Sequence, residues 1–250
     1  MNLRNKVAVV TGGARDIGRA VSIKLAAEGA RVVVNYYSSE EQARDTLNTI
    51  HSAGGEAIAV AGDMTKQEDV DKLVSKTVQT YGDRIDILVN VAGGLVARKT
   101  LEETDLEFFE LVMKLNFTST YMVTKAVVPH MRDGGSIVNF SSQAGRDGGG
   151  QGAWIYAASK GAVSTFTRGL AKELGPKNIR VNALCPGMIA TTFHDTFTKD
   201  QVRSNVAAST PLRREGNAME VAESVAYLAS DQSSFLTGVN LDINGGMLFS

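Results

Sequence analysis

A single cysteine, Cys185, stands in 250 residues, so no internal disulfide can brace the fold. Its bland reading is a small, buried, apolar side chain. Charge of one sign is missing too: 26 basic and 27 acidic side chains leave a formal net charge of -1. Neither nucleic acid nor an anionic membrane is expected as a partner on that ground. No stretch approaches the ~18 uninterrupted apolar residues that a membrane span needs. The first apolar run, Val7 to Val10, is too short for a signal-peptide core. A cytoplasmic protein is the expectation. The chain also lacks a His/Cys/Asp cluster with metal-ligand spacing and a Gly-x-Ser-x-Gly turn. A metal site and a Ser-His-Asp hydrolase are therefore not expected; His51 and His130 fall on or near helix ends.

What is present is a regular alternation. Lys6–Val10, Arg31–Tyr36, Glu56–Ala61, Ile85–Asn90, Ser136–Phe140, Ile179–Leu184 and Val239–Ile243 read as strands. Helical spacing fills roughly 17–29, 39–53, 66–81, 105–131, 153–175 and 218–230. Several strands are apolar throughout, as strands buried on both faces should be. The pattern predicts one doubly wound Rossmann-type α/β domain, a seven-stranded, mainly parallel sheet with helices on both faces. Segment 186–216 shows no clear period, and a stretch that long in a compact domain predicts a lid over a binding site.

The first strand runs into Thr11-Gly12-Gly13-Ala14-Arg15-Asp16-Ile17-Gly18, and a helix follows. Glycines at such a turn let backbone approach a pyrophosphate, while the helix start supplies unpaired amides and partial positive charge. Further on, Tyr156 and Lys160 lie four residues apart, one turn along one helix face. A phenol of reference pKa ~10 acting as a base near neutral pH needs roughly 4 kcal/mol of preferential phenolate stabilisation. The ammonium of Lys160 is the source that the chain itself offers. A serine pair, Ser141-Ser142, ends the fifth strand, and its hydroxyls are candidates to donate to a substrate oxygen.

These motifs resemble the short-chain dehydrogenase/reductase family, whose loop reads Thr-Gly-x-x-x-Gly-x-Gly. Thr11, Gly12, Ile17 and Gly18 match, while Asp16 stands where the middle glycine belongs. Asp tolerates a left-handed backbone better than most residues; its carboxylate is expected to bond a ribose hydroxyl or to pair with Arg15 or Arg19. Asn90-Val91-Ala92-Gly93 is similar to the family's Asn-Asn-Ala-Gly. The resemblance implies Ser142, Tyr156 and Lys160 as catalytic residues, with Asn116 supporting a water-linked proton path. It implies cofactor contacts from Gly12, Arg15, Asp16, Ile17, Gly18, Tyr36, Asp63, Asn90, Ala92, Gly93, Tyr156, Lys160, Pro186, Gly187, Ile189 and Thr191. Lys160 would also hold the nicotinamide ribose.

No acid ends the second strand, and Arg15 precedes the middle-glycine position; both favour NADP(H), while Asp16 opposes them. NAD(H) and NADP(H) stay open. Arg98, Lys99, Gln143, Arg146 and His194 are expected around the mouth, where cations and polar donors suit a small, polar, carboxylated substrate. The segments holding them look like the bacterial uronate reductases of alginate breakdown, which reduce a deoxy-hexoseulose uronate. A 3-oxoacyl-carrier-protein reductase is the alternative within the class, and a catalytically idle dinucleotide-binding protein the alternative outside it. The apolar surface of helices 105–131 and 153–175 and the family's habit imply a homotetramer.

Overall fold

A computed structural model describes residues 1–249. The chain opens with β1 (Val7–Thr11), α1 (Asp16–Ala27), β2 (Arg31–Tyr36), α2 (Glu40–Ser52), β3 (Glu56–Ala61), α3 (Gln67–Tyr81) and β4 (Ile85–Asn90). It continues with α4 (Leu106–Met113), α5 (Ser119–Val127), β5 (Met131–Phe140), α6 (Ala144–Asp147), α7 (Trp154–Leu174) and β6 (Arg180–Pro186). The last part holds β7 (Ile189–Ala190), α8 (Thr192–Phe197), α9 (Asp200–Ser209), β8 (Gly216–Asn217), α10 (Ala218–Ala229) and β9 (Asn240–Ile243).

Seven strands form one sheet in the order β3-β2-β1-β4-β5-β6-β9, and every neighbouring pair is parallel. Alternate strand residues serve the two faces. Ala8, Val10, Val32, Val34, Ile87, Val89 and Val138 pack with Val21 and Leu25 of α1 and Val221 and Val225 of α10. Val9, Val33, Leu88, Ile137 and Val181 pack instead with Leu73 of α3, Val123 and Val127 of α5, and Leu174 of α7. This two-sided burial is why the strands read as apolar runs, Val7 to Val10 and Val32 to Val34, rather than as alternating patterns.

The strand order reverses between β1 and β4, whose ends lie level, Thr11 opposite Asn90. In such a sheet the crevice beyond the carboxyl ends of those strands is the natural ligand site. The predicted helix 105–131 is interrupted: Lys114–Thr118 makes one wide π turn between α4 and α5, and the helix ends at Val127 before Pro129. Segment 186–216 is not a bare loop, since β7, α8 and α9 occupy it and β7 pairs with β8 beyond. Neither α8 nor α9 contains a fully buried residue. They cover the crevice rather than the core, so they carry little hydrophobic periodicity to read. Among the described residues no helix is long and apolar enough to cross a membrane.

Candidate active site

The crevice at the switch point is a cavity of about 990 Å³, bounded by the β1–α1 turn, the ends of β2, β4, β5 and β6, and α8. Close backbone packing shapes its floor. Gly12 adopts φ +61, and a Cβ there would lie 3.1 Å from the Ala92 backbone. A Cβ on Gly18 would lie 2.0 Å from the Gly12 carbonyl oxygen. Side chains from neighbouring strands and helices pin the turn: Ser22 Oγ donates to the Gly13 carbonyl at 3.0 Å and Thr46 Oγ1 to that of Ala14 at 3.0 Å. Buried Asn35 accepts from the Gly12 amide at 3.2 Å while donating to the Val60 and Gly62 carbonyls at 3.3 and 3.0 Å. Asn35 belongs to none of the expected motifs, and its mark in the sequence is an amide at the end of the apolar run Val32-Val33-Val34.

Of the expected cofactor residues, Gly12, Arg15, Asp16, Ile17, Gly18, Tyr36, Ala92, Gly93, Tyr156, Lys160, Pro186, Gly187, Ile189 and Thr191 line the cavity. Asp63 and Asn90 lie behind its walls. Asp63 Oδ1 accepts from the amide and hydroxyl of Thr65, at 2.9 and 2.8 Å, and so closes a turn. Asn90 Nδ2 donates to Thr124 Oγ1 at 3.1 Å and to Asn139 Oδ1 at 2.9 Å, tying β4 to α5 and β5. Asp16 does sit at φ +49, yet its carboxylate is not aimed as expected. It accepts from the Thr192 amide at 3.0 Å and the Thr192 hydroxyl at 2.6 Å. Arg15 is 4.0 Å away, and Arg19 reaches Thr49 instead.

Ser142, Tyr156 and Lys160 converge on the middle of the cavity. Of the two serines, Ser141 is buried and its hydroxyl bonds the Lys160 carbonyl at 2.8 Å and Ser164 Oγ at 2.7 Å. Both serines border the cavity, and it is Ser142 that hydrogen-bonds Tyr156. Lys160 Nζ donates to the Phe140 carbonyl at 2.8 Å and lies 5.8 Å from the Tyr156 ring centre. Burial brings Lys160 down to about 8, so the ammonium still dominates at neutral pH. Burial pushes the Tyr156 phenol up, against the downward pull of its hydrogen bond with Ser142. The expected depression of Tyr156 is therefore not a property of the side chains alone; desolvation of the phenolate outweighs the neighbours present. A neutral phenol is the form suited to donate a proton.

The sign of the pH dependence follows. Proton donation to a carbonyl needs the phenol, present below its raised pKa; proton removal from an alcohol needs the phenolate, present above it. Carbonyl reduction is expected to hold through neutrality and fall in the alkaline range, with alcohol oxidation rising there. Parallel pH–rate profiles in the two directions check this, and oxidation that declines as pH rises would contradict it.

Asn116, in the π turn, is fully buried. Its Oδ1 accepts from the Gly94 amide at 2.9 Å, and its Nδ2 donates to the carbonyls of Gly94 and Val112 at 2.9 and 3.0 Å. The side chain holds the Gly93–Gly94 backbone rather than reaching into the cavity. The mouth differs more from expectation. Arg146 does not line the cavity and bonds Asp242, which does, at 2.9 and 3.1 Å; Lys99, also outside the lining, lies 3.9 Å from Asp105 and 4.4 Å above the Phe108 ring. Each of these cations is paired with an acid or a ring that the fold brings near. Arg98, Gln143 and His194 do line the cavity. Burial, with the Arg203 charge next, holds His194 below the usual imidazole range, so it is neutral at physiological pH. Phe193 packs its ring 6.1 Å from that of Tyr156, and Leu95, Met188, Phe197 and Val206 extend an apolar wall.

A family model described as enoyl-(acyl carrier protein) reductase matches residues 12–248. A solved short-chain dehydrogenase/reductase from Serratia marcescens superposes with a TM-score of 0.93 at 33% identity, covering 99% of both chains. The chain belongs to the short-chain dehydrogenase/reductase family. A second solved relative, a blue fluorescent protein from a metagenomic library in complex with NADPH, is 33% identical with a TM-score of 0.93 over 100% of both chains. A 3-oxoacyl-[acyl-carrier-protein] reductase of Synechocystis sp. is 38% identical over 250 residues, 98% of each chain. As a member of this family the protein is an oxidoreductase that uses a nicotinamide dinucleotide. The close-packed glycine turn, which no side chain fills, fits that cofactor.

Proposed function

We propose that this short-chain dehydrogenase/reductase uses NADP(H) to reduce a ketone or aldehyde whose carbonyl carries an apolar substituent. The observation that carries the reading is the convergence of Ser142, Tyr156 and Lys160 in the cavity beneath Phe193. Ser142 holds the substrate oxygen by its hydroxyl, and Tyr156 gives that oxygen its proton. Lys160, fixed by the Phe140 carbonyl, keeps an ammonium near the phenol and holds the nicotinamide ribose. When bound, the reduced dinucleotide supplies the hydride. Asn116 positions the Gly93–Gly94 wall. The exposed Arg15 side chain, with Tyr36, Tyr37, Ser38 and Ser39 and no acid at the end of β2, supports NADP(H) over NAD(H), because a 2′-phosphate meets a cation there and no acid from β2, while the Asp16 carboxylate, 4.0 Å from Arg15, is engaged by Thr192.

A second reading, reduction of a deoxy-hexoseulose uronate, is favoured by Arg98 and Gln143 on the cavity wall. Arg98, however, already donates to the carbonyls of Phe197 and Gln151, at 3.3 and 3.0 Å. A 3-oxoacyl thioester suits the apolar wall better. The test is oxidation of NADPH and of NADH against acetoacetyl thioesters, simple aryl and alkyl ketones, and alginate-lyase products. We expect NADPH to be preferred and the apolar carbonyls to turn over faster. Turnover of the uronate alone would replace the first reading by the second. Tight NADPH binding without turnover of any carbonyl would leave an idle dinucleotide-binding protein.

We also propose a homotetramer. Leu106, Phe109, Leu111 and Tyr121 are exposed on α4 and α5, and Tyr227, Phe235 and Leu241 at the far edge of the sheet. Two separate apolar faces are what a dimer of dimers requires. Light scattering is expected to give four times the chain mass, and a monomer at working concentration would refute it.

A further inference from the structure

Asp16 occupies the position where the family's loop pattern has a glycine, and a carboxylate in a phosphate cradle is an electrostatic cost. Part of that cost is offset locally, since Asp16 is the first residue of α1 and negative charge is favourable at a helix start. That benefit would ask only for a carboxylate near the helix start. The observed geometry asks more. Both carboxylate oxygens are engaged by one residue 176 positions away, Oδ1 by the Thr192 amide and Oδ2 by its hydroxyl. Thr192 is the first residue of α8, and the next residue, Phe193, packs against Tyr156.

The opposite end of α8 is held from the other wall of the cleft, where Arg98 Nε donates to the Phe197 carbonyl at 3.3 Å. On the outer side, Arg203 of α9 bonds Asp195 and Glu215. A six-residue helix with no buried residue has little core packing to hold it, so these polar ties set where it sits.

We propose that Asp16 is a positioning residue that ties the cofactor cradle to the lid, holding α8 so that Phe193 closes over Tyr156. It acts through Thr192 and touches neither the reacting atoms nor, by this inference, the ribose. The tie couples the two halves of the site: whatever shifts the β1–α1 turn shifts α8, and the reverse.

The test is hydrogen–deuterium exchange of segment 192–209 in the ligand-free protein, a readout that does not depend on which carbonyl is reduced, or on reduction at all. Asp16→Gly keeps the left-handed backbone at no steric cost and removes the tie. Exchange in that segment is expected to rise by about tenfold, the scale set by losing a charge-assisted pair of hydrogen bonds. Asp16→Asn, which retains an acceptor, is expected to recover much of the protection, and Thr192→Val to lose part of it. Adding Thr192→Val to Asp16→Gly should cause no further loss, as two partners in one contact require. Unchanged exchange in Asp16→Gly overturns the proposal. If NADPH binding, followed by fluorescence, weakens sharply while exchange stays unchanged, Asp16 is a cofactor ligand instead.

Discussion

Tyr156→Phe is expected to lower kcat by roughly 10²–10⁴-fold, the range that a positioned proton donor contributes, while NADPH affinity changes little. The substitution removes one oxygen and leaves the ring. Phe193 would keep its packing partner at 6.1 Å, and Lys160 would keep its bond to the Phe140 carbonyl. The glycine turn, on the far side of the cavity, does not contact the phenol. Loss should therefore fall on kcat and kcat/KM together, the signature of an interaction made in the transition state. Steady-state kinetics beside a nicotinamide-fluorescence titration measure both quantities. A Phe variant that retains kcat would remove Tyr156 from the chemistry and return attention to Ser142.

The second large effect is expected from Gly18→Ala. In an ordinary helix that change is favourable, by up to ~1 kcal/mol. Here the new Cβ would stand 2.0 Å from the Gly12 carbonyl oxygen, 2.8 Å from its carbon and 3.0 Å from Gly13 Cα. All three are backbone atoms, so no side chain can swing aside; the turn or α1 must move. Movement would strain the bonds from Asn35, Ser22 and Thr46 that hold the turn. We expect a loss of about 2 kcal/mol from overpacking, a drop in Tm of several degrees, and at least tenfold weaker NADPH binding. Calorimetry and fluorescence titration check the pair. Unchanged Tm with unchanged affinity would show that the cradle yields cheaply and that its close packing does not matter.

The fold was legible because both faces of the sheet are buried. Val7-Ala8-Val9-Val10 and Ile85-Asp86-Ile87-Leu88 announce themselves as strands, and the helices between them carry one apolar face each. Even the polar residue inside that apolar run is explicable: Asp86, buried, accepts from the Val7 amide at 2.9 Å and from Arg84 Nε at 2.6 Å. The glycine turn and the Tyr156–Lys160 pair were legible for another reason. Both depend on local spacing, which the chain carries within a few residues.

The mouth of the site was not legible, because long-range pairing decides it. Nothing near Arg146 in sequence points to Asp242, nor anything near Asp16 to Thr192. Of the three loop cations near the mouth, only Arg98 lines the cavity. The helices of segment 186–216 were not legible, since α8 and α9 bury no complete side chain and so lack the periodicity that burial imposes.

Sequence alone determined the parallel sheet, the glycine turn after β1 and the one-turn spacing of Tyr156 and Lys160, because periodicity and short spacings encode them directly. Tertiary structure alone decided that the Ser141 hydroxyl is taken up by Lys160 and Ser164 while Ser142 bonds Tyr156. It also decided that burial keeps the Tyr156 phenol protonated and that the Asp16 carboxylate faces the lid. Each of these depends on which groups lose water and which distant partner replaces it, and only the folded chain brings those groups together.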